Sequence, residues 1–507
     1  MSRIQSLRKF FSSDTGILIL LGLTNVLLHT LLNGRYGFHR DELNTLENAR
    51  HLAWGYVEYP PFTPFMIRLA YDIFGAAPAG LRLFSALAAG AASTLGGLMA
   101  RDLGGRRGAQ ILAALAAAIA PFALFMGSLA MYETLDTLWW VVTAFLVVRL
   151  LKTGDARWWL GIGAAIGLGM MTKYSMSFLV AGIVVGIVLT KARRFLLSPW
   201  LWAGVGISLL ICLPNLIWQA QHNFISLDFL QFIHARDVAI GRGDSYLSEQ
   251  FWAVTNLVTV PLWIVGLFFI FFAPSLKAFR PLAWLYLVPF GLFLYLQGRS
   301  YYMTGAYPIL LAAGAVAWEK GLAHLSPGWG RVLKGVTWAL IAVSGIAFSV
   351  IALPVVPVDS DLFSKVSDLN GEVKEQVGWP ELVKAVAEVY AKIPQEEKGT
   401  TGILTGNYGE AGAINLYGSA YGLPQAISGM DTFWLRGYGD PPPQTLIVLG
   451  MESGKIYSFY KDCGIKGTIS IPYNISNEEA RSHSIIYVCR GLRKPWSEIW
   501  KFFKTFG

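Results

Sequence analysis

The chain has 507 residues, of which 54% are hydrophobic and only 14% charged, and its mean hydropathy is +0.47. Soluble domains carry about 25% charged residues, so a purely soluble protein is excluded and much of this chain's solvent is lipid. The formal net charge of +9 does not point to nucleic acid, because the basic residues stand in short clusters between apolar runs, which is a topological pattern.

A membrane-spanning helix needs about 20 mostly apolar residues. Runs of that kind fall at 15–32, 80–100, 109–126, 133–151, 158–172, 174–190, 198–217, 251–273, 281–297, 304–319 and 335–354, which predicts about eleven spans. The first run has no small-residue cleavage site and many spans follow it, so it reads as a span and not as a removable signal. Arg3, Arg8 and Lys9, Arg101, Arg106 and Arg107, Lys152 and Arg157, Lys191, Arg193 and Arg194, Lys277 and Arg280, and Lys320, Arg331 and Lys334 alternate correctly with a cytoplasmic N-terminus. The other connections, and everything after 355, then face outside.

The first outer connection contains "GFHRDELNTLENARHLAWGYVEYPPF". Within and after it, "DELNTLENARHL" and "PFMIRLAYDIFG" show apolar residues at helical spacing, which predicts two short helices along the membrane surface. The two prolines of "EYPPF" forbid a helix across them. That stretch is either a plain re-entry turn or a rigid cleft edge with Glu58 or Tyr59 pointing in. After 355 the chain changes character, with Gly-rich turns, a "DPPPQ" run and short β-type runs such as "TLIVLG" and "SIIYVC", so a small soluble α/β domain is predicted. The resulting division is 1–354 in the membrane and 355–507 outside it. The terminal "KPWSEIWKFFKTF" either lies on the membrane or forms a surface helix of the outer domain. Cys463 and Cys489 could pair if that region is outside the cytoplasm, whereas Cys212, in an apolar run, reads as packing. The sequence has no Walker loop, dinucleotide fingerprint, Cys/His metal spacing or short-period repeat.

An acid held beside a bilayer costs solvation unless it is paired or needed. Asp41 and Glu42 are consecutive, so on a helix they point about 100° apart, and only one can face a reacting atom. Asp41 could instead simply cap a surface helix. His39 and Arg40 could pair with these acids or contact phosphate. Glu133 and Asp136 share one face at the outer end of the fourth span. Lys173, in "GMMTKYS", stands at an outer turn, where a lysine snorkels or binds a lipid-linked phosphate. "QGRSYYMTGAYP" adds Arg299, suited to forked phosphate binding, with Tyr301 and Tyr302, which also suit an interfacial belt. "LPNLIWQAQHNF" offers Trp218 and His222 for sugar recognition or for a helix end.

The ordered set "FHRDE", "YPP", "GMMTKYS", "LPNLIWQAQHNF" and "YYMTGAYPILLAAGAVAWE", with "NYGEAGAINLYG" and "YGLPQAISGMDTFWLRG" in the tail, makes the chain resemble bacterial GT-C glycosyltransferases. The branch is that of the protein O-mannosyltransferases and lipid A aminoarabinose transferases. The resemblance implies an all-α polytopic GT-C fold with a small C-terminal domain. It also implies inverting transfer of a sugar from a polyprenyl-phosphate carrier to an envelope glycan, lipid A or protein acceptor, at the outer face of a bacterial cytoplasmic membrane. Carried over by position, Asp41 is the base or acceptor-orienting acid, Glu42 its helper, and Glu133 or Asp136 the second acid. Lys173 and Arg299 would meet the carrier phosphate. Aminoarabinose transferases have a lysine close before the Pro pair; here Glu58 and Tyr59 stand there, which puts the same substrate in doubt. Some relatives use a divalent cation, and the acids here could hold one, but no closed ligand set is visible. Two other classes compete: a flippase of lipid-linked saccharide, which calls for deep charges and broken helices in paired repeats, neither evident here, and a membrane scaffold, for which the loop acids are dispensable.

Overall fold

The structure, a computed structural model, describes residues 12–475 and 477–507; the basic cluster Arg3, Arg8 and Lys9 lies outside the described residues. Helices meet all eleven predicted runs. Five of them, Asp14–Leu32, Leu83–Asp102, Tyr132–Thr153, Pro199–Gln221 and Pro327–Ala352, are long and apolar enough to cross a membrane. Arg107–Ala118, Trp158–Met170 and Pro281–Tyr295 are apolar but shorter. Met176–Val188 bends by 105° into Lys191–Leu197, and Tyr246–Val254 by 102° into Leu257–Phe272. Among the described residues, long apolar helices therefore number five, or up to seven with each bent pair taken as one span, fewer than the eleven expected. Composition registers an apolar run but not its breaks. Run 109–126, for example, divides before Pro121, which opens a new helix, Pro121–Met126, as proline does at a first helical position.

Small residues let these helices touch through their backbones. A Cβ at Gly314 would lie 1.9 Å from the Leu262 carbonyl, and one at Gly266 would lie 2.0 Å from that of Leu310, so Val260–Phe272 and Tyr307–Ala323 are in direct contact. At one end of the bundle Asp102 accepts from Arg149 at 3.1 Å and Lys152 at 2.9 Å, and Asp14 accepts from Arg107 at 2.7 Å. The opposite end carries the first connection and the tail.

The two helices of the first connection differ. Phe62–Phe74 keeps Phe65, Leu69 and Ile73 exposed, as a surface-lying amphipathic helix does. Arg40–Arg50 is buried from Glu42 to Ala49, so it does not lie free on a membrane surface. Its Leu43 and Leu46 share one apolar core with Trp379, Leu382, Val386 and Ile414 of the tail. Partners more than 300 positions away in the chain cover the second face that its own spacing leaves polar.

The tail builds a five-stranded mixed sheet in the order β2-β1-β3-β5-β4, from β1 (Thr401–Thr405), β2 (Ala426–Ser428), β3 (Thr445–Leu449), β4 (Tyr460–Thr468) and β5 (Ile485–Leu492). β1 is parallel to β2 and β3, while β5 is antiparallel to β3 and β4. Strand residues alternate between faces. In-register Ile403, Ile447 and Val488 meet the helix layer and the first connection, whereas Leu404, Val448 and Tyr487 meet Trp496, Trp500 and Phe503. The aromatic terminal segment thus packs under the sheet instead of lying on a membrane. Cys463 and Cys489 face each other across β4 and β5 and form a disulfide.

Candidate active site

Between the bundle and the tail lies a cavity of about 770 Å³. Three helix ends contribute to its lining. Glu133 sits in the first turn of Tyr132–Thr153, Lys173 in the turn after Trp158–Met170, and Arg299 just beyond Pro281–Tyr295. The first connection supplies His39, Arg40, Asp41, Glu58 and Tyr59, and the tail supplies Tyr408 and Asp431. Phe122, Phe178, Phe293, Phe348 and Ile351 give the cavity apolar walls.

Lys173 Nζ lies 4.1 Å from the Tyr302 ring centre, 4.6 Å from Tyr132 and 5.4 Å from Tyr301. Three ring faces suit an ammonium ion. Its carboxylate neighbour is Glu133, with Oε1 at 3.8 Å, while Glu133 Oε2 has no partner among the described residues. Arg299 is more committed: Nε donates to Asp237 Oδ2 at 2.6 Å and Nη1 to the Tyr301 hydroxyl at 3.0 Å.

Asp41 is a third exposed and lines the cavity. Its Oδ1 accepts from the Tyr408 hydroxyl at 2.7 Å. Glu42, one position on, turns the other way. It pairs with the fully buried Arg82, Nη2 to Oε2 2.6 Å, and also accepts from the amides of His39 at 2.7 Å and Ala130 at 2.6 Å. That closes a capping box and leaves Glu42 outside the cavity lining. The His39 ring reaches Glu372 of the tail, Nε2 to Oε2 3.1 Å. Burial opposes a charge on that ring, but the Glu372 hydrogen bond and the charges of Asp41 and Glu372 outweigh it and lift His39 to about 9. Arg40 pairs with Glu478, so His39 and Arg40 both clamp the connection to the tail.

Glu58 accepts from Asn44 at 2.7 Å and Asn48 at 3.2 Å, and also from Thr432 of the tail. The Tyr59 hydroxyl accepts from Asn48 at 2.7 Å. Asp136 accepts from Ser175 at 2.8 Å and lies behind the lining. Trp218 stacks on His222 at 3.9 Å, packs with Val57, and neither lines the cavity. The structure therefore brings together ten of the fourteen predicted positions and sets Glu42, Asp136, Trp218 and His222 apart from the cavity. Among the described residues, no three His, Cys, Asp or Glu side chains are grouped as a metal ion would need.

Sequence reasoning missed Tyr408, Asp431, Glu372 and the Arg236, Asp237 and Arg242 group that line or brace the cavity. Tyr408 stood inside the quoted "NYGEAGAINLYG", Asp431 inside "YGLPQAISGMDTFWLRG", and Arg236–Asp237 in a charged stretch of the connection 218–250. Those were the signals available.

The dolichyl-phosphate-mannose-protein mannosyltransferase family matches residues 58–218. Lipid A galacturonosyltransferase RgtD of Rhizobium johnstonii is 26% identical over 265 residues, which are 50% of this chain and 54% of that protein. The match therefore spans little more than half of the curated relative. ArnT from Cupriavidus metallidurans, solved bound to undecaprenyl phosphate, superposes with a TM-score of 0.58 at 16% identity, covering 94% of this chain and 98% of that one, and its apo form gives the same figures. Residues 58–218 thus match a glycosyltransferase family, and the chain as a whole has a fold similar to that of ArnT.

Proposed function

We propose that this protein is an inverting glycosyltransferase that takes a sugar from a polyprenyl-phosphate donor and passes it to a glycan, lipid A or protein acceptor of the cell envelope. In this reading residues 1–354 form the catalytic membrane part and 355–507 a domain outside the membrane, on the periplasmic side of a bacterial inner membrane. The observation that carries the reading is the single cavity in which a ring-caged Lys173, Glu133 and a half-open Asp41 meet. The basic ends gathered at the opposite pole of the bundle support the orientation, as does the disulfide in the tail. The undecaprenyl phosphate bound to ArnT and the lipid A for which the curated relative is named support the substrate classes.

The chemistry follows from the residue types. Asp41 takes the proton of an acceptor hydroxyl. The acceptor oxygen bonds to the anomeric carbon from the side opposite the carrier, and the bond to the carrier phosphate breaks. The departing phosphate anion is stabilised by Lys173, with Glu133 setting the ammonium's position, while Arg299, which also lines the cavity, holds Tyr301. The apolar wall offers the isoprenoid a path from the bilayer, so the reaction needs no nucleotide-binding fold. Asp41→Asn should lower transfer by at least about a hundredfold with donor binding retained, and Lys173→Ala should weaken donor binding. Both are read by a radiolabelled-sugar assay in membranes supplied with lipid-linked sugar. Unchanged transfer in Asp41→Asn would remove the base assignment.

A further inference from the structure

The tail turn 429–432 forms one wall of the cavity without a role in the chemistry above. Asp431 is 2% exposed, lines the cavity and has a φ of +49°, a left-handed conformation that Asp tolerates better than most residues. The terminal segment fixes this turn. Asp431 N donates to Thr505 O at 3.0 Å, Thr505 N to Gly429 O at 3.0 Å, and Gly507 N to Asp431 Oδ1 at 3.2 Å. Gly429 is needed for the approach, since a Cβ there would lie 2.1 Å from the Phe503 carbonyl. The next residue, Thr432, receives the Val57 amide at 3.0 Å and donates to Glu58. The clasp sets Asp431 and Glu58 beside one space, with Asp41 and Arg236 the other charges that act on Asp431.

Among the described residues, Gly507 N is the only hydrogen-bond donor to the Asp431 side chain, and Oδ2 is left to the cavity. Burial first, then the charges of Glu58 and Asp41, raise this carboxyl well above the usual carboxylate range, against the Gly507 amide and Arg236. A carboxyl that keeps its proton both donates and accepts. A second carboxylate would be repelled by Glu58 and Asp41, and an ammonium ion needs the charged form. A neutral hydroxyl fits both functions.

We propose that Asp431 is a substrate-binding residue that holds a sugar hydroxyl in the cavity that Lys173 also lines. This rests on the glycosyltransferase reading. The hydroxyl belongs either to the donor sugar or to a glycosyl acceptor, and one set of measurements separates the two. Purified full-length protein is titrated with undecaprenyl phosphate, bare or carrying mannose or galacturonic acid, and transfer to lipid A is followed. The variants are Asp431→Gly, which removes the carboxyl without backbone strain, and Asp431→Asn, whose amide still donates.

If the donor sugar is held, Asp431→Gly loses about five- to tenfold in affinity for the glycosylated carrier and nothing for the bare one. If the acceptor is held, both carriers bind as before and KM for lipid A rises by a similar factor at unchanged kcat. In either case Asp431→Asn restores the value to within about twofold. An equal loss on the bare carrier, no change in any measurement, or an Asn variant as impaired as the Gly variant overturns the proposal. A wild-type protein that binds no carrier and transfers no sugar overturns the glycosyltransferase reading itself.

Discussion

At the scale of single residues, the pair Asp41–Glu42 shows how two adjacent carboxylates acquire different roles. Glu42 is enclosed with Arg82 and two backbone amides, so neither charge can be relieved by water. Removing one partner of such a pair leaves the other buried and unpaired, which costs about 3–5 kcal/mol. Arg82→Ala should therefore lower the thermal midpoint of the detergent-solubilised protein strongly and reduce the folded yield, whereas an unchanged midpoint would show that water reaches Glu42. Helical geometry made it legible that only one of the two acids could face a substrate. It did not reveal which one, because the choice depends on Arg82, forty positions on, and on Tyr408 in the tail. Lys173 was legible from its outer turn, but its ring cage was not, since Tyr132, Tyr301 and Tyr302 come from two other elements.

At the scale of elements, the decisive contact is between the helices Arg40–Arg50 and Tyr408–Tyr417, which carry Asp41 and Tyr408 respectively. They meet at glycines: a Cβ at Gly412 would lie 2.9 Å from the Leu43 side chain and backbone oxygen, and one at Gly409 would lie 2.4 Å from Arg40 Cγ. Gly412→Leu should force these helices apart, costing about 1–3 kcal/mol of stability, and should lower transfer because the Tyr408–Asp41 hydrogen bond stretches. Gly371→Ala, with open space around its Cβ position, should change neither. Equal behaviour of the two variants in thermal unfolding and transfer assays would contradict this packing account. Apolar runs gave the position of the membrane helices well, because composition alone specifies them. The burial of Arg40–Arg50 was hidden, since its covering layer is assembled from the far end of the chain, and the bends after Val188 and Val254 fall where Thr190 and Asn256 cap the next helices, with no proline or glycine at the break to mark them.

For the whole molecule, the first connection and the tail form one body, joined by a shared apolar core and by Arg40, His39 and Glu58 contacts. Acids of the tail are buried at that junction. Glu479 is raised from 4.5 to about 7, by burial first and then by the charge of Glu375, against Arg40. A carboxyl whose folded value is raised stabilises the fold below its unfolded value and loses that contribution as pH rises through the folded one. The contribution of Glu479 to the unfolding midpoint should therefore fall between pH 4.5 and about 7 and level off above it, with a limit of about 3 kcal/mol for this group, while His39, lifted to about 9, loses its own contribution at higher pH. Glu479→Gln should flatten that slope, and an identical slope in the variant would show that other groups carry the pH dependence. The most direct test of the central claim is a structure of the full-length protein with undecaprenyl phosphate in lipid nanodiscs. The account predicts the phosphate within about 4 Å of Lys173 Nζ and the isoprenoid along Phe178, Phe293 and Phe348. A phosphate bound at the opposite pole, near Asp102 and Arg149, would contradict it.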